Sequence, residues 1–455
     1  YKLGLMFMEG KGGVNKNLDL GMMWFDQAAK NEQVGKHWEE RAIKSEQVIS
    51  TMHKLGLMFK NGEGVFKSPS VAFKWFLKAA EKGDTASMVE VGVCYKKGVG
   101  VRKNVTEAQR WLRASAKRDV EGKYQFGLFL EEVRYDDTWA MKWYLRAARD
   151  GHVKAMCRSG MCYKRDTLFR TKDLTKALRW LQKAADLGDA EAMRQLGICY
   201  ENGEEVAKDL SRALGLYQRA IARNNAKAMF KLASWYEQGE AGLPQDLSKA
   251  LELLQHAVDL GDSDAMFKLA SWYEQGKGDL SKDQVEAVYL LGQAAGNEHV
   301  EAMYKLGLMF MNGRGVVQNL ELGISWLQRA ADENDIEALR DLATCYRNGN
   351  GVPQNDEIER SLLQKIDTLS KIDKICKSAY RYEYGVGVSQ NLGLATDLYL
   401  VACPKACKVS STILKEVIFR NFQMSYKKAL YKGISLEGVD MCKFMLGDYK
   451  KYLLS

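Results

Sequence analysis

The chain has 455 residues, 46% of them hydrophobic and 27% charged, with a formal charge of +9 at pH 7. It exceeds the ~250–300 residues at which one compact core stops growing, so several domains or an elongated array are expected. No stretch approaches the ~18 apolar residues of a membrane span. No block of like charges concentrates the modest positive excess, so neither a transmembrane segment nor nucleic-acid binding is expected.

The chain is periodic from its first residue. It opens YKLGLMFMEGKG, and Tyr304 begins YKLGLMFMNGRG. MFKLASWYEQG stands at Met229–Gly239 and again, letter for letter, at Met266–Gly276. Aligned on the small residue inside that segment, equivalent positions are Gly4, Gly56, Gly92, Gly127, Gly160, Gly197, Ala233, Ala270, Gly307, Ala343 and, less clearly, Tyr380. The period is about 36 residues. The first interval is longer, and its polar, helix-compatible surplus near 33–50 is expected to form an extended helix or lobe. Tyr1 falls part-way through a first helix with no Met before it, so the sequence is expected to be a piece of a longer protein.

Each unit reads as two helices. In the first, Met266, Leu269, Ala270 and Tyr273 recur at helical spacing and define an inward face, with Trp272 on a flank. A Gly-x-Gly-Val turn often follows, at Gly62–Val65, Gly98–Val101, Gly313–Val316 and Gly385–Val388. Glycine there takes the left-handed conformation that ends a helix. The second helix carries Trp-x-x-x-Ala-Ala, as at Trp75, Trp143 and Trp326; these rings and Trp180 are expected to be buried anchors interlocking with the alanines. Gly83-Asp84, Gly188-Asp189 and Gly261-Asp262 then join a helix stop to an N-cap. The small reference residue is expected to let two helix backbones approach.

The unit around Gly127 is weaker: Lys123 replaces a Met, and Glu131–Tyr135 replaces the glycine turn. After Cys403 the pattern fades. A repeat array over 1–402 and a divergent helical cap over 403–455 are expected. One hairpin cannot bury its apolar face alone, whereas stacked neighbours can. The fold class is therefore all-α, a right-handed α/α solenoid of about eleven two-helix repeats.

The sequence Ala302-Met-Tyr-Lys-Leu-Gly-Leu-Met-Phe-Met-Asn-Gly-Arg-Gly-Val316, with Trp326 to Ala331, resembles a Sel1-like repeat, a relative of the tetratricopeptide repeats. The resemblance implies a scaffold or adaptor for protein–protein interaction, without catalysis or cofactor of its own. Members serve in ER-associated degradation, cell-wall synthesis control and bacterial signalling. The alternatives it leaves open are the repeat region of a larger enzyme or of a degradation adaptor complex. A β-lactam-hydrolysing, disulfide-bonded branch needs paired cysteines in each repeat, and the cysteines here mostly come singly.

Nine cysteines and five histidines invite a search for chemistry. Cys94, Cys162, Cys199 and Cys345 share a packing slot with Met58, Trp235 and Trp272, and Cys376 shares one with Met193 and Met229. That slotting favours buried thiols and a reducing, cytoplasmic compartment. Cys157/Cys162 and Cys403/Cys407 lack two further ligands for zinc. No Gly-Lys-Ser/Thr follows the glycine turns, so they are not phosphate loops. Lys2, Lys54, Lys231, Lys268, Lys305 and Arg158 recur away from the inward face, with Phe230, Phe267 and Tyr304 beside them. Two readings stay open: a basic, aromatic-edged concave groove for a protein or an extended acidic peptide, or aromatics that pack between repeats beside lysines that only keep the surface soluble.

Overall fold

The computed structural model describes residues 46–401, apart from 64, 134–136, 165–172, 205, 392, 396 and 399–400. The expected cap at 403–455, the cysteines at 403 and 407, and the expected lobe at 33–50 lie outside the described residues, save that 46–50 begin the first helix. The helices pair along the chain as α1 (Glu46–Asn61) with α2 (Pro69–Glu81), α3 (Thr85–Lys97) with α4 (Val105–Ala116), and α5 (Val120–Glu132) with α6 (Asp137–Arg149). They continue through α7 (Val153–Lys164), α8 (Leu174–Asp186), α9 (Ala190–Asn202), α10 (Leu210–Ile221), α11 (Ala226–Gln238) and α12 (Leu247–Asp259). The last are α13 (Ser263–Gln275), α14 (Gln284–Gly296), α15 (Val300–Asn312), α16 (Leu320–Asp332), α17 (Ile336–Asn348) and α18 (Asp356–Tyr384). Among the described residues there is no strand, and the fold is all-α in repeated pairs, as expected.

The chain divides into two compact units. Unit 1 is Tyr1–Cys162 with Arg179–Leu187; unit 2 is Tyr163–Leu178 with Gly188–Ser455.

Caps set the length of each helix. In unit 1, Asp84 caps α3 by accepting from the Ser87 amide. In unit 2, Asp189 and Asp262 cap α9 and α13 in the same way. The preceding Gly83, Gly188 and Gly261 are all left-handed, as the Gly-Asp pattern implied. Asn104 of the Asn-Val-Thr sequence caps α4 through two amides, so its side chain already has a structural task. The two glycines of the turn do different work. Gly313 is the left-handed C-cap of α15, whereas a Cβ on Gly315 would run into the backbone carbonyl of Gln284, at the start of α14 in the preceding repeat. Gly100 stands in the same relation to Pro69 in unit 1.

The reference residue proves to be a seat for a side chain more than a meeting of backbones. A Cβ on Gly197 would lie 2.5 Å from the Tyr217 ring; one on Gly127 would lie 2.6 Å from Tyr144, and one on Gly92 2.5 Å from Leu112. Where the reference residue is Ala233 or Ala270, the matching residues of the second helix are Leu254 and Leu291. The rings of Tyr144 and Tyr217 need glycine beneath them, as Leu112 does, whereas Leu254 and Leu291 are placed so that alanine fits.

The expected tryptophan anchors require correction. Trp75, Trp143, Trp180 and Trp326 are half-buried, each beneath a basic side chain three residues on, such as Arg329 at 4.3 Å from Trp326. The fully buried residue is the next in sequence: Phe76, Tyr144, Leu181 or Leu327. Trp272, expected on a flank, is only 2% exposed. A second correction concerns the last repeat. No turn separates the unit of Ala343 from that of Tyr380, because α18 runs unbroken for 29 residues. The stretch SLLQKIDTLSKIDK within it holds no glycine or proline to stop a helix.

Two measurements check this packing. Gly197→Ala should destabilise unit 2 by ~1–3 kcal/mol, because the buried Tyr217 ring has nowhere to go; adding Tyr217→Leu should recover part of that loss in urea melts. Gly315→Ala should cost more than Gly313→Ala, which meets the left-handed penalty of ~1–2 kcal/mol and only a 3.2 Å approach to the Gln318 side chain.

Candidate functional site

The predicted bases and aromatics of unit 2 do come together, but across repeats. Lys268 Nζ lies over the ring of Phe230, at 5.4 Å, and not over its own neighbour Phe267. It donates to Ser234 Oγ at 2.9 Å and pairs with Glu237 at 2.5 Å. Lys305 repeats the arrangement one unit later, over Phe267 at 5.4 Å, with Ser271 Oγ at 3.0 Å and Glu274 as its carboxylate. Lys231 pairs with Glu201 at 2.7 Å, and the same glutamate accepts from Tyr217 Oη. Tyr304 Oη donates to Asp341, and burial with that acid pushes its pKa up to about 12.

In unit 1, Arg158 faces Glu131 at 3.7 Å, and Glu131 accepts from Tyr144 Oη at 2.5 Å. Of the expected row, Arg158, Lys231, Lys268 and Lys305 are thus rungs of ion pairs that tie α7 to α5, α11 to α9, α13 to α11 and α15 to α13. Sequence reasoning overlooked that Glu131, Glu201, Glu237 and Glu274 hold one position, a repeat earlier. Burial acts against ionisation of Glu237, yet hydrogen bonds from Lys268 and Lys277 hold its carboxyl below the usual range.

The start of unit 1 carries the ladder with opposite polarity. Lys60 of α1 reaches both oxygens of Glu90 on α3, at 2.9 and 2.8 Å, and Lys96 of α3 pairs with Glu132 of α5 at 2.5 Å. Between these helices opens a cleft of about 580 Å3, floored by Ala86, Val89, Val93 and Leu128. This cleft was not expected. Part of its signal is the residue after the reference position, Val93 and Leu128 here, where the repeats of Ala233 and Ala270 have Ser234 and Ser271.

The remaining candidates are structural. Cys94, Cys199 and Cys345 are buried, and burial raises each thiol pKa, that of Cys94 to about 11. Thiols whose ionisation is opposed by burial are poor nucleophiles and poor metal ligands. His152 and His299 cap α7 and α15, each accepting a backbone amide at Nδ1. Nε2 of His152 meets Glu121 at 2.8 Å, and this contact is the main cause of the lowered Glu121 pKa. No group of three His, Cys, Asp or Glu suited to a metal occurs among the described residues, and no helix there is long and apolar enough to cross a membrane.

If the ladder joins repeats, Lys305→Glu should destabilise by ~1 kcal/mol. Adding Glu274→Lys should recover most of it, and a double-mutant cycle reads the coupling.

A model described as Sel1 repeat matches residues 1–32, 49–84, 85–120, 122–152, 153–189, 190–225, 226–262, 263–299, 300–335, 336–360 and 375–403. One of the stretches it leaves unmatched, 361–374, is the middle of α18. The chain is similar to c5321, a protective antigen of uropathogenic Escherichia coli with an SLR fold, at 24% identity over 93% of this chain and 89% of the other, with a TM-score of 0.42. It is similar to a Sel1 repeat protein from Oxalobacter formigenes, at 22% identity over 69% and 92% of the respective chains, with a TM-score of 0.48. A further likeness is to a Sel1 repeat protein described as putative in Klebsiella pneumoniae, at 24% identity over 44% and 97%, with a TM-score of 0.31. No curated protein matches the chain. With repeats recognised in segments from residue 1 to 403, the chain belongs to the Sel1 repeat family, a family that generally mediates protein–protein interactions on a typically non-catalytic fold.

Proposed function

We propose that this chain is a non-catalytic scaffold, acting in a reducing, cytoplasmic compartment, that holds partner proteins along the face of its first helices. The observation that carries this reading is the open cleft across α1, α3 and α5, which leaves aliphatic side chains at the surface while most of the charges around them are already matched. In unit 2 the contact row comprises Phe230, Lys231, Phe267, Lys268, Tyr304 and Lys305, with Arg158 as its counterpart in unit 1. An acidic segment reaches these lysines by exchanging with Glu201, Glu237 and Glu274, so the site favours a partner that offers carboxylates at the spacing of the repeats. The buried thiols of Cys94, Cys199 and Cys345, each without a disulfide, support the reducing compartment.

A photo-crosslinking residue at Lys227, exposed on first helix α11, should trap partner peptides, and one at Glu252, exposed on second helix α12, should not. Equal trapping at both positions would contradict the assignment of the face. Reversing Lys231, Lys268 and Lys305 together to Glu should abolish capture and also lower the melting temperature, since each would then face a carboxylate.

A further inference from the structure

The cleft of unit 1 is electrically graded along its length. His53–Ser87 and Lys60–Glu90 set α1 and α3 side by side in the same direction, and α5 follows, its start beside Ser115, which bonds Thr85, and its end at Lys96–Glu132. At the N-terminal ends of α3 and α5 the lining is Asp119 and Glu121, with His53. His53 there already faces Asp84 at 3.5 Å, and Glu121 faces His152. At the C-terminal ends the lining is Lys60, Lys96 and Lys97, against Glu90 and Glu132. Lys60 and Lys96 are taken up by those glutamates. Lys97 is exposed and has no ion-pair partner among the described residues. One end is therefore net acidic and the other net basic, with Ala86, Val89, Val93 and Leu128 between them.

From Asp119 to Glu132 a helix advances about 20 Å at 1.5 Å per residue. An extended chain of about six residues spans that distance. We infer that the cleft seats a six-residue extended segment of a partner protein with a basic side chain at one end, aliphatic side chains in the middle and an acidic side chain at the other end. This rests on the scaffold reading above and names the segment that the first-helix face accepts at the cleft of unit 1, apart from the lysine row of unit 2. The basic end meets Asp119 and Glu121; the aliphatic groups cover Val93 and Leu128; the carboxylate meets Lys97. A segment acidic at both ends meets repulsion at Asp119 and Glu121, and so does a polyphosphate such as RNA.

The test uses the full chain and three end-blocked hexapeptides labelled for fluorescence anisotropy: Arg-Ala-Leu-Ala-Leu-Glu, and its relatives with Glu at both ends or with Arg at both ends. The mixed-charge peptide should bind about fivefold tighter than either relative, the fold-change of one exposed ion pair. Lys97→Glu, at an exposed position, should move the preference to the doubly basic peptide by a similar factor. Leu128→Asp should weaken all three at an unchanged circular dichroism spectrum. Equal affinities, binding of the mixed-charge peptide weaker than about 1 mM, an order unaltered by Lys97→Glu, or displacement by poly(U) RNA would each overturn the assignment. Any of these outcomes leaves the crosslinking comparison at Lys227 and Glu252 to decide the scaffold reading separately.

Discussion

A large residue of the second helix must sit on the middle of the first helix, and the rest of each repeat follows from that constraint. The first helix meets it with glycine under Phe76, Leu112, Tyr144 and Tyr217. Alanine stands at that place in the units of Leu254 and Leu291. A glycine inside a helix costs roughly 0.5–1 kcal/mol, a penalty offset by the ring it admits, whose hydroxyl then reaches a glutamate one turn further along the first helix. That glutamate in turn accepts the base of the next repeat. One steric requirement therefore runs through core packing, a buried hydrogen bond and an ion pair to the contact between neighbouring units.

The polar ladder shows how a repeat fold keeps its surface orderly. Lys268 and Lys305 each satisfy a serine, a glutamate and an aromatic face at once. Such a cation is held in one rotamer and is only partly available to a partner. Where the serine gives way to Val93 or Leu128 in unit 1, the same position changes from hydrogen-bonded to apolar. Binding chemistry on this fold is thus set by one residue per repeat, the position following the seat.

Much of this was legible in the sequence, since helical period, glycine stops and aspartate caps are local signals. The caps at Asp84, Asp189 and Asp262 and the left-handed glycines before them are where the dipeptides put them. What escaped was relational. Trp75 is the most conspicuous letter of its helix, yet Phe76 fills the core, because depth depends on where the neighbouring helix presses. Lys268 reads as a surface cation until Glu237, a repeat earlier, is seen to lie within 2.5 Å. The cleft in unit 1 spans three units of the chain, so no single window of sequence contains it. The unbroken α18 escaped for the opposite reason: the repeat alignment imposed a turn on a stretch whose composition contains no stop.

The opposed polarity of the ladder also bears on how a chain of near-copies finds its own order. At the joint of α1 and α3 the earlier module offers lysine and the later one glutamate; at the joints from α9 to α15 the earlier offers glutamate and the later lysine. A module such as 85–120, transplanted behind 190–225, would set Glu90 against Glu201. Units that look interchangeable letter by letter are thus keyed to their neighbours, and shuffling them meets electrostatic resistance at the seam.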